Sequence, residues 1–305
     1  MDNKNIKKKN LTGSFMLLLT AFIWGTAFVA QSKGMDYIGP FTFNFVRSVI
    51  AGIVLIPIIV LFKKAEKNKK QNISLKQTLI GGIACGVMLC LGSAFQQSGI
   101  VLTTAGKAGF ITALYIVIVP VLEFIIYKRA SGRIWLCVFI AVCGFYLLCI
   151  KENFTIGKGD LLVLVCALCF AGHIMVIDIF AAKNTDGMIM SCIQFFTAAV
   201  IFLLFMYILE RPDIKSIINA WRPIMYAGVM SSCIGYTLQI LGQRRTPPAA
   251  ATLLMSLESV FAALSGWLIL GEKMLPKELI GCVLVFAAVI LAQLPKNNTK
   301  TTEEK

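Results

Sequence analysis

Charge is scarce in this sequence of 305 residues. Aspartate, glutamate, lysine and arginine together make up 14% of it, against about 25% in an ordinary soluble domain. An ordinary soluble domain is thereby excluded, and the 58% apolar content excludes a disordered chain. Histidine occurs once, at His173, so a histidine-ligated metal centre has too few ligands and no H-E-x-x-H string exists. No nucleophile elbow and no Walker A string occur, which leaves serine hydrolysis and ATP-driven work without their residues. Alternating segments of about ten residues, the mark of a transmembrane barrel, are absent as well.

Long apolar runs are what the sequence does contain, and its mean hydropathy is +0.81. Ten runs stand out: Leu11–Ala30, Pro40–Phe62, Thr78–Ile100, Ala108–Tyr127, Ile134–Ile150, Leu161–Ala182, Met188–Leu209, Pro223–Gly242, Ala249–Leu270 and Leu279–Leu294. Only Arg47, Glu123, Asp178 and Glu258 among the 44 charged residues fall inside them. A run of about 20 residues at 1.5 Å rise spans a hydrocarbon core of about 30 Å, and a helix satisfies its own backbone groups there. The expected fold is therefore an all-α integral membrane protein of ten transmembrane helices, with the lipid bilayer as its main partner. Pro40, Pro223, Pro247, Pro248 and Pro276 stand at or near run starts, where a missing N–H costs little. Pro57 and Pro120 lie inside runs and are expected to bend them.

The formal net charge is +14, yet the basic residues sit in the loops flanking the runs, so nucleic acid is not expected as a partner. With the N-terminus placed in the cytoplasm, 19 lysines and arginines face inward and nine outward. The positive-inside rule then puts both termini in the cytoplasm of a multi-pass plasma (inner) membrane protein. Lys4, Lys7, Lys8 and Lys9 precede a first run of full spanning length, which reads as an uncleaved helix rather than a signal peptide. The ten cysteines all lie in membrane runs; Cys166 and Cys169 form a C-x-x-C without a redox or zinc context and read as small apolar filler.

A shift of 143 residues lays Gln96 over Gln239, Gly99 over Gly242, Thr103 over Thr246 and Tyr115 over Glu258. Slightly different shifts lay Gly13 over Gly159, Trp24 over Phe170 and Arg47 over Gln194. The matches keep their order along five consecutive helices, which predicts an internal repeat, residues 11–150 and 159–294. A unit with an odd number of crossings lies upside-down when repeated, and two inverted five-helix repeats around a central site are a common transporter plan.

Several strings resemble the drug/metabolite transporter superfamily, and within it the ten-helix EamA type. They are Phe22-Ile23-Trp24-Gly25-Thr26, Phe45-Val46-Arg47, the stretch from Ala105 through Gly109 and Phe110 to Tyr115 leading on to Pro120, Gly159-Asp160-Leu161, and Leu254-Met255-Ser256-Leu257-Glu258 with Gly271-Glu272 beyond. Ser259 stands where the family often has proline, and Lys128-Arg129 where it often has Gly-Glu. The resemblance implies two five-helix bundles around a cavity lined mainly by helices 1, 3, 4, 6, 8 and 9, with helices 5 and 10 at the periphery. It also implies movement of small metabolites, amino acids or drugs, often outward.

Ionisable groups at membrane depth are costly and face protein or water. By helical rise Glu258 sits near the midplane, where a carboxylate can pair with a cation, carry a proton or hold a structural hydrogen bond. Arg47 cannot discharge in lipid and needs a partner; Glu258 is the carboxylate at similar depth, so the two are expected to pair. His173, also near the midplane, can bind solute, shuttle protons or make an interhelical hydrogen bond. Trp24, Gln96, Phe110, Tyr115, Tyr236 and Gln239 complete the expected lining, aromatic and sparsely polar. Asp178 and Glu123 read as interface anchors.

Gly157-Lys158-Gly159-Asp160 matches the G-x-G-D string of membrane aspartyl proteases. The carboxylate partner that chemistry needs is missing, since Asp178 lies about 27 Å along the same helix. The string reads better as a helix start, with no catalytic residue, metal or cofactor expected. The expectation is a secondary transporter exporting small amphipathic metabolites, such as amino acids or derivatives, by alternating access. The alternative is proton-coupled export of organic cations or drugs through Glu258.

Overall fold

A computed structural model describes residues 3–65, 73–103, 105–128, 132–149, 157–270 and 275–294. The motif residues Gly271-Glu272 and Arg129 lie outside these. Among the described residues every regular element is helical. The membrane helices are α1 (Asn3–Gly34), α2 (Pro40–Ala65), α3 (Leu75–Leu102), α4 in two pieces (Ala105–Thr112 and Tyr115–Tyr127), α5 (Gly132–Cys149), α6 (Lys158–Ala181), α7 (Gly187–Leu209), α8 (Trp221–Gln243), α9 in two pieces (Pro248–Met255 and Leu257–Leu270) and α10 (Pro276–Gln293). Eight of them are long and apolar enough to cross a membrane by length and composition, and α5 contains a shorter apolar stretch, Gly132–Leu147. A short helix, Ile214–Asn219, precedes α8.

The helices begin where the chemistry of their first turns allows. The Asp186 carboxylate accepts from the N–H groups of Met188 and Ile189 at 3.0 and 3.1 Å at the start of α7, and proline opens α9 and α10. Burial is inverted relative to a soluble protein. Asn44, Gln97 and Gln194 are fully buried, while Leu204, Leu268 and Val283 are exposed on the perimeter. Such an arrangement is stable only with hydrocarbon outside.

The helix pairings are symmetric between the first five helices and the last five. Helix α3 lies on α6 as α8 lies on α1; α3 lies on α7 as α8 lies on α2; and α4 and α9 contact each other, as do α5 and α10. Exchanging the halves maps this set of pairs onto itself. Glycines mark the equivalent crossings: a Cβ on Gly99 would lie 2.9 Å from the Gly159 carbonyl oxygen, and one on Gly242 would lie 3.1 Å from that of Gly13. These four are residues that the repeat superposes. Nearly all the principal pairs join one half to the other, so the halves interleave rather than stand as two separate five-helix bundles. The reason is steric, because Gly82 and Gly86 on α3 admit Ile193 and Thr197 of α7 at close range. Gly99→Val should therefore destabilise the purified protein by about 1–3 kcal/mol through overpacking. Thermal unfolding in detergent checks this, and an unchanged melting temperature would contradict the crossing.

Both central helices of the fold are interrupted at matched positions. In α4 the N–H of Leu114 turns to the carbonyl of Ile111 at 3.1 Å and that of Ile116 to Ala113 at 3.0 Å. In α9 the N–H of Ser259 turns to Ser256 at 3.2 Å. These tightened turns place Tyr115 and Glu258 just past each break, and the break in α4 precedes Pro120. Discontinuous helices at repeat-related positions are a recurring feature of transporter sites.

Carboxylates near the helix ends serve as structural acceptors. Asp160 accepts from the Gly157 N–H at 2.9 Å and the Thr103 hydroxyl at 2.6 Å, so the G-x-G-D string forms a cap tying α6 to α3. Asp178 accepts from the Tyr127 hydroxyl at 2.9 Å, and Glu123 from the Ala249 N–H at 3.3 Å. Glu210, past the end of α7, accepts from the N–H groups of Phe41 and Thr42 at 2.8 and 2.7 Å and holds the first turn of α2.

Candidate functional site

A small cavity lies where the halves meet. Helix α1 contributes Trp24, Phe28 and Gln31, spaced four and three residues apart on one stripe. Helix α6, the repeat counterpart of α1, contributes Phe170, His173 and Ile174. Three pairs superposed by the repeat, Trp24 with Phe170, Gln96 with Gln239 and Tyr115 with Glu258, all line this one space.

At its centre the Tyr115 hydroxyl donates to Glu258 Oε1 at 3.0 Å. Both residues are buried, and the bond joins the two interrupted helices. Gln96 donates through its side-chain nitrogen to the Thr112 hydroxyl at 3.2 Å. The Gln239 side-chain oxygen is buried without a partner among the described residues. His173 Nε2 lies 3.0 Å from Gln194 Oε1 on α7, so the interhelical bond and the cavity position are both realised.

Arg47 reaches the cavity from α2, a helix absent from the lining that the resemblance implies. It is 4% exposed and does not extend to the membrane surface. Its guanidinium meets Gln31 Oε1 at the long distance of 3.5 Å and stands 5.8 Å from the centre of the Phe43 ring. The expected pairing with Glu258 is not formed: the one salt bridge among the described residues joins Lys33 to Asp36 on the surface. Glu258 instead takes its hydrogen bond from Tyr115, the residue placed opposite it by the matched breaks. Gln194, the repeat counterpart of Arg47, is satisfied by His173 and Ser191. The asymmetry leaves one cation and one carboxylate facing the same space without touching.

Helix α8 shapes the remaining wall through an unusual segment. Residues Tyr226–Tyr236 form a π-helix, whereas its repeat counterpart α3 is a regular α-helix throughout. Trp24 Nε1 donates to the Ser231 carbonyl at 3.2 Å and the Thr20 hydroxyl to the Gly235 carbonyl at 3.2 Å, and Thr26 is hydrogen-bonded to Tyr226. The segment thus faces α1 with carbonyls that accept from it, and π-helical segments recur at functional sites.

Eight of the nine expected lining residues converge here; Phe110 does not. It packs edge-to-face on Phe145, with ring centres 6.3 Å apart. Thr112, three residues before Tyr115, takes the cavity position. Phe28 and Gln31 were readable as continuations of the Trp24 stripe. Ser231 was not, because its five-residue spacing to Tyr236 fits a π-turn and no α-helical period.

An interleaved pair of inverted helical repeats around a central buried cavity defines a class, the helical membrane transporters. The model of the EamA-like transporter family matches residues 11–150 and 157–294. An "Uncharacterized transporter" of Archaeoglobus fulgidus is 31% identical over 94% of this chain and 87% of its own. "Uncharacterized transporter YwfM" of Bacillus subtilis is 25% identical over 95% and 96%. The "S-adenosylmethionine/S-adenosylhomocysteine transporter" of Chlamydia muridarum is 22% identical over 89% and 91%. A solved structure titled "Crystal structure of protein" shares the fold with a TM-score of 0.75 at 15% identity, over 92% of this chain and 96% of that one. The chain belongs to the EamA-like transporter family.

Proposed function

We propose that the protein exports small amphipathic metabolites, amino acids or their derivatives, across the plasma membrane by alternating access around this cavity. The distribution of basic residues supports cytoplasmic termini. The observation that carries the reading is the cavity itself: aromatic walls of Trp24, Phe170 and Tyr236 with an uncompensated Arg47 and Glu258 facing the same space. Apolar walls with a few fixed polar groups suit a solute that has an apolar body and a charged end. The similarity to a transporter named for S-adenosylmethionine and S-adenosylhomocysteine, both amino-acid derivatives, supports the same class. Export of lone organic cations through Glu258 is disfavoured by Arg47, which a cation without a carboxylate would meet unscreened in the same low-dielectric space.

The test is counterflow in proteoliposomes loaded with labelled amino acids and amino-acid derivatives. Exchange of some members is expected. Silence across that panel, together with Glu258-dependent exchange of organic cations, would replace the amino-acid reading with the cation exporter.

A further inference from the structure

Resting on the transport reading above, we infer that the cavity is a zwitterion site with two fixed poles, Arg47 receiving the carboxylate of the solute and Glu258 its cationic group. The solute is then the missing counter-charge of both residues.

Arg47 supplies the first argument. A guanidinium offers five N–H donors in a fork that matches a carboxylate. Among the described residues it has a single hydrogen bond, the long one to Gln31, with a ring beside it, and no carboxylate within 4.0 Å. A buried charge left so is costly unless an anion completes it. The second argument is Glu258, which receives one hydrogen bond, from Tyr115, and meets no cation among the described residues. Gln239, another lining residue, also has a buried side-chain oxygen without a hydrogen-bond partner among the described residues.

The third argument is spacing. Arg47 is seven residues into α2 and Glu258 ten residues into α9, and these helices start on opposite faces because an odd number of crossings separates their starts. At 1.5 Å per residue the two α-carbons lie about 10 and 15 Å from their respective faces. In a core of about 30 Å, roughly 5 Å of axial separation remains. Trp24 and Phe170 line the same cavity as the two charges.

A matched set of probes tests the assignment: leucine, N-acetylleucine, which lacks the ammonium group, and 3-methylbutylamine, which lacks the carboxylate. Each competes for leucine counterflow in proteoliposomes of the unsubstituted protein. Leucine is expected to compete at least 10-fold better than either single-charge analogue. Arg47→Lys, which keeps the charge but loses the fork, should weaken leucine competition while leaving 3-methylbutylamine unchanged. Analogues competing as well as leucine would overturn the two-pole assignment while leaving the transport reading intact. Absence of leucine counterflow, with exchange confined to solutes bearing one charge, would also overturn the poles. Absence of exchange by any amino acid or derivative would overturn the transport reading and the poles with it.

Discussion

Arg47→Met is expected to melt at a higher temperature than the unsubstituted protein and to carry no zwitterionic solute. Replacing a buried charged group by a well-packed apolar side chain of similar volume is often stabilising, by about 1–4 kcal/mol where buried ion pairs have been so replaced. Arg47 lacks even the ion pair, being 4% exposed with one 3.5 Å contact. Its desolvation is therefore poorly compensated in the empty protein, and methionine fills the space without that penalty. The same substitution removes the group that would receive a carboxylate. Greater stability with lost activity is the pattern of a site that gives up stability for function. Thermal unfolding in detergent reads the first half and counterflow the second; a lower melting temperature would mean that Arg47 is structurally compensated after all.

Glu258→Gln is expected to lower the apparent affinity for a zwitterionic solute far more than Tyr115→Phe does. Glutamine keeps the shape and an oxygen for the Tyr115 hydroxyl to reach, so the join between the interrupted helices survives. The charge is lost. Removing one member of a buried charged contact costs about 2–5 kcal/mol, which is roughly 30- to 4,000-fold in affinity. Tyr115→Phe leaves the charge and removes one hydrogen bond to it, an effect of about 1.5–3 kcal/mol shared between folding and binding, so about 10-fold in affinity. The concentration dependence of counterflow orders the two variants. Equal losses would show that Glu258 acts through its bond to Tyr115 rather than through its charge.

The helices and the repeat were legible because each rests on a local or periodic signal: apolar runs of spanning length, and superposed residues such as Gly99 with Gly242. The cavity was legible through charge and polarity at depth, which is why Arg47, Gln96, His173, Gln239 and Glu258 all reach it. The pairing of those charges was not. A sequence places Arg47 and Glu258 at similar depth, but whether they touch depends on side-chain geometry across an interface, and the matched breaks at 113–114 and 256 bring Tyr115 to Glu258 instead. Phe110 was misplaced because aromatic character carries no facing information by itself, and the ring packs on Phe145 instead. The π-helix of α8 left no sequence signal, since its register depends on carbonyl acceptors that α1 satisfies across the interface.

The central claim is that a solute completes Arg47, and the melting curves of the unsubstituted protein and Arg47→Met, each with and without saturating leucine, test it most directly. A solute that binds only the folded state raises apparent stability, by about 2.7 kcal/mol at 100 times its dissociation constant. The account predicts that leucine raises the melting temperature of the unsubstituted protein and leaves that of Arg47→Met, already higher, where it was. An equal rise in both proteins would contradict it.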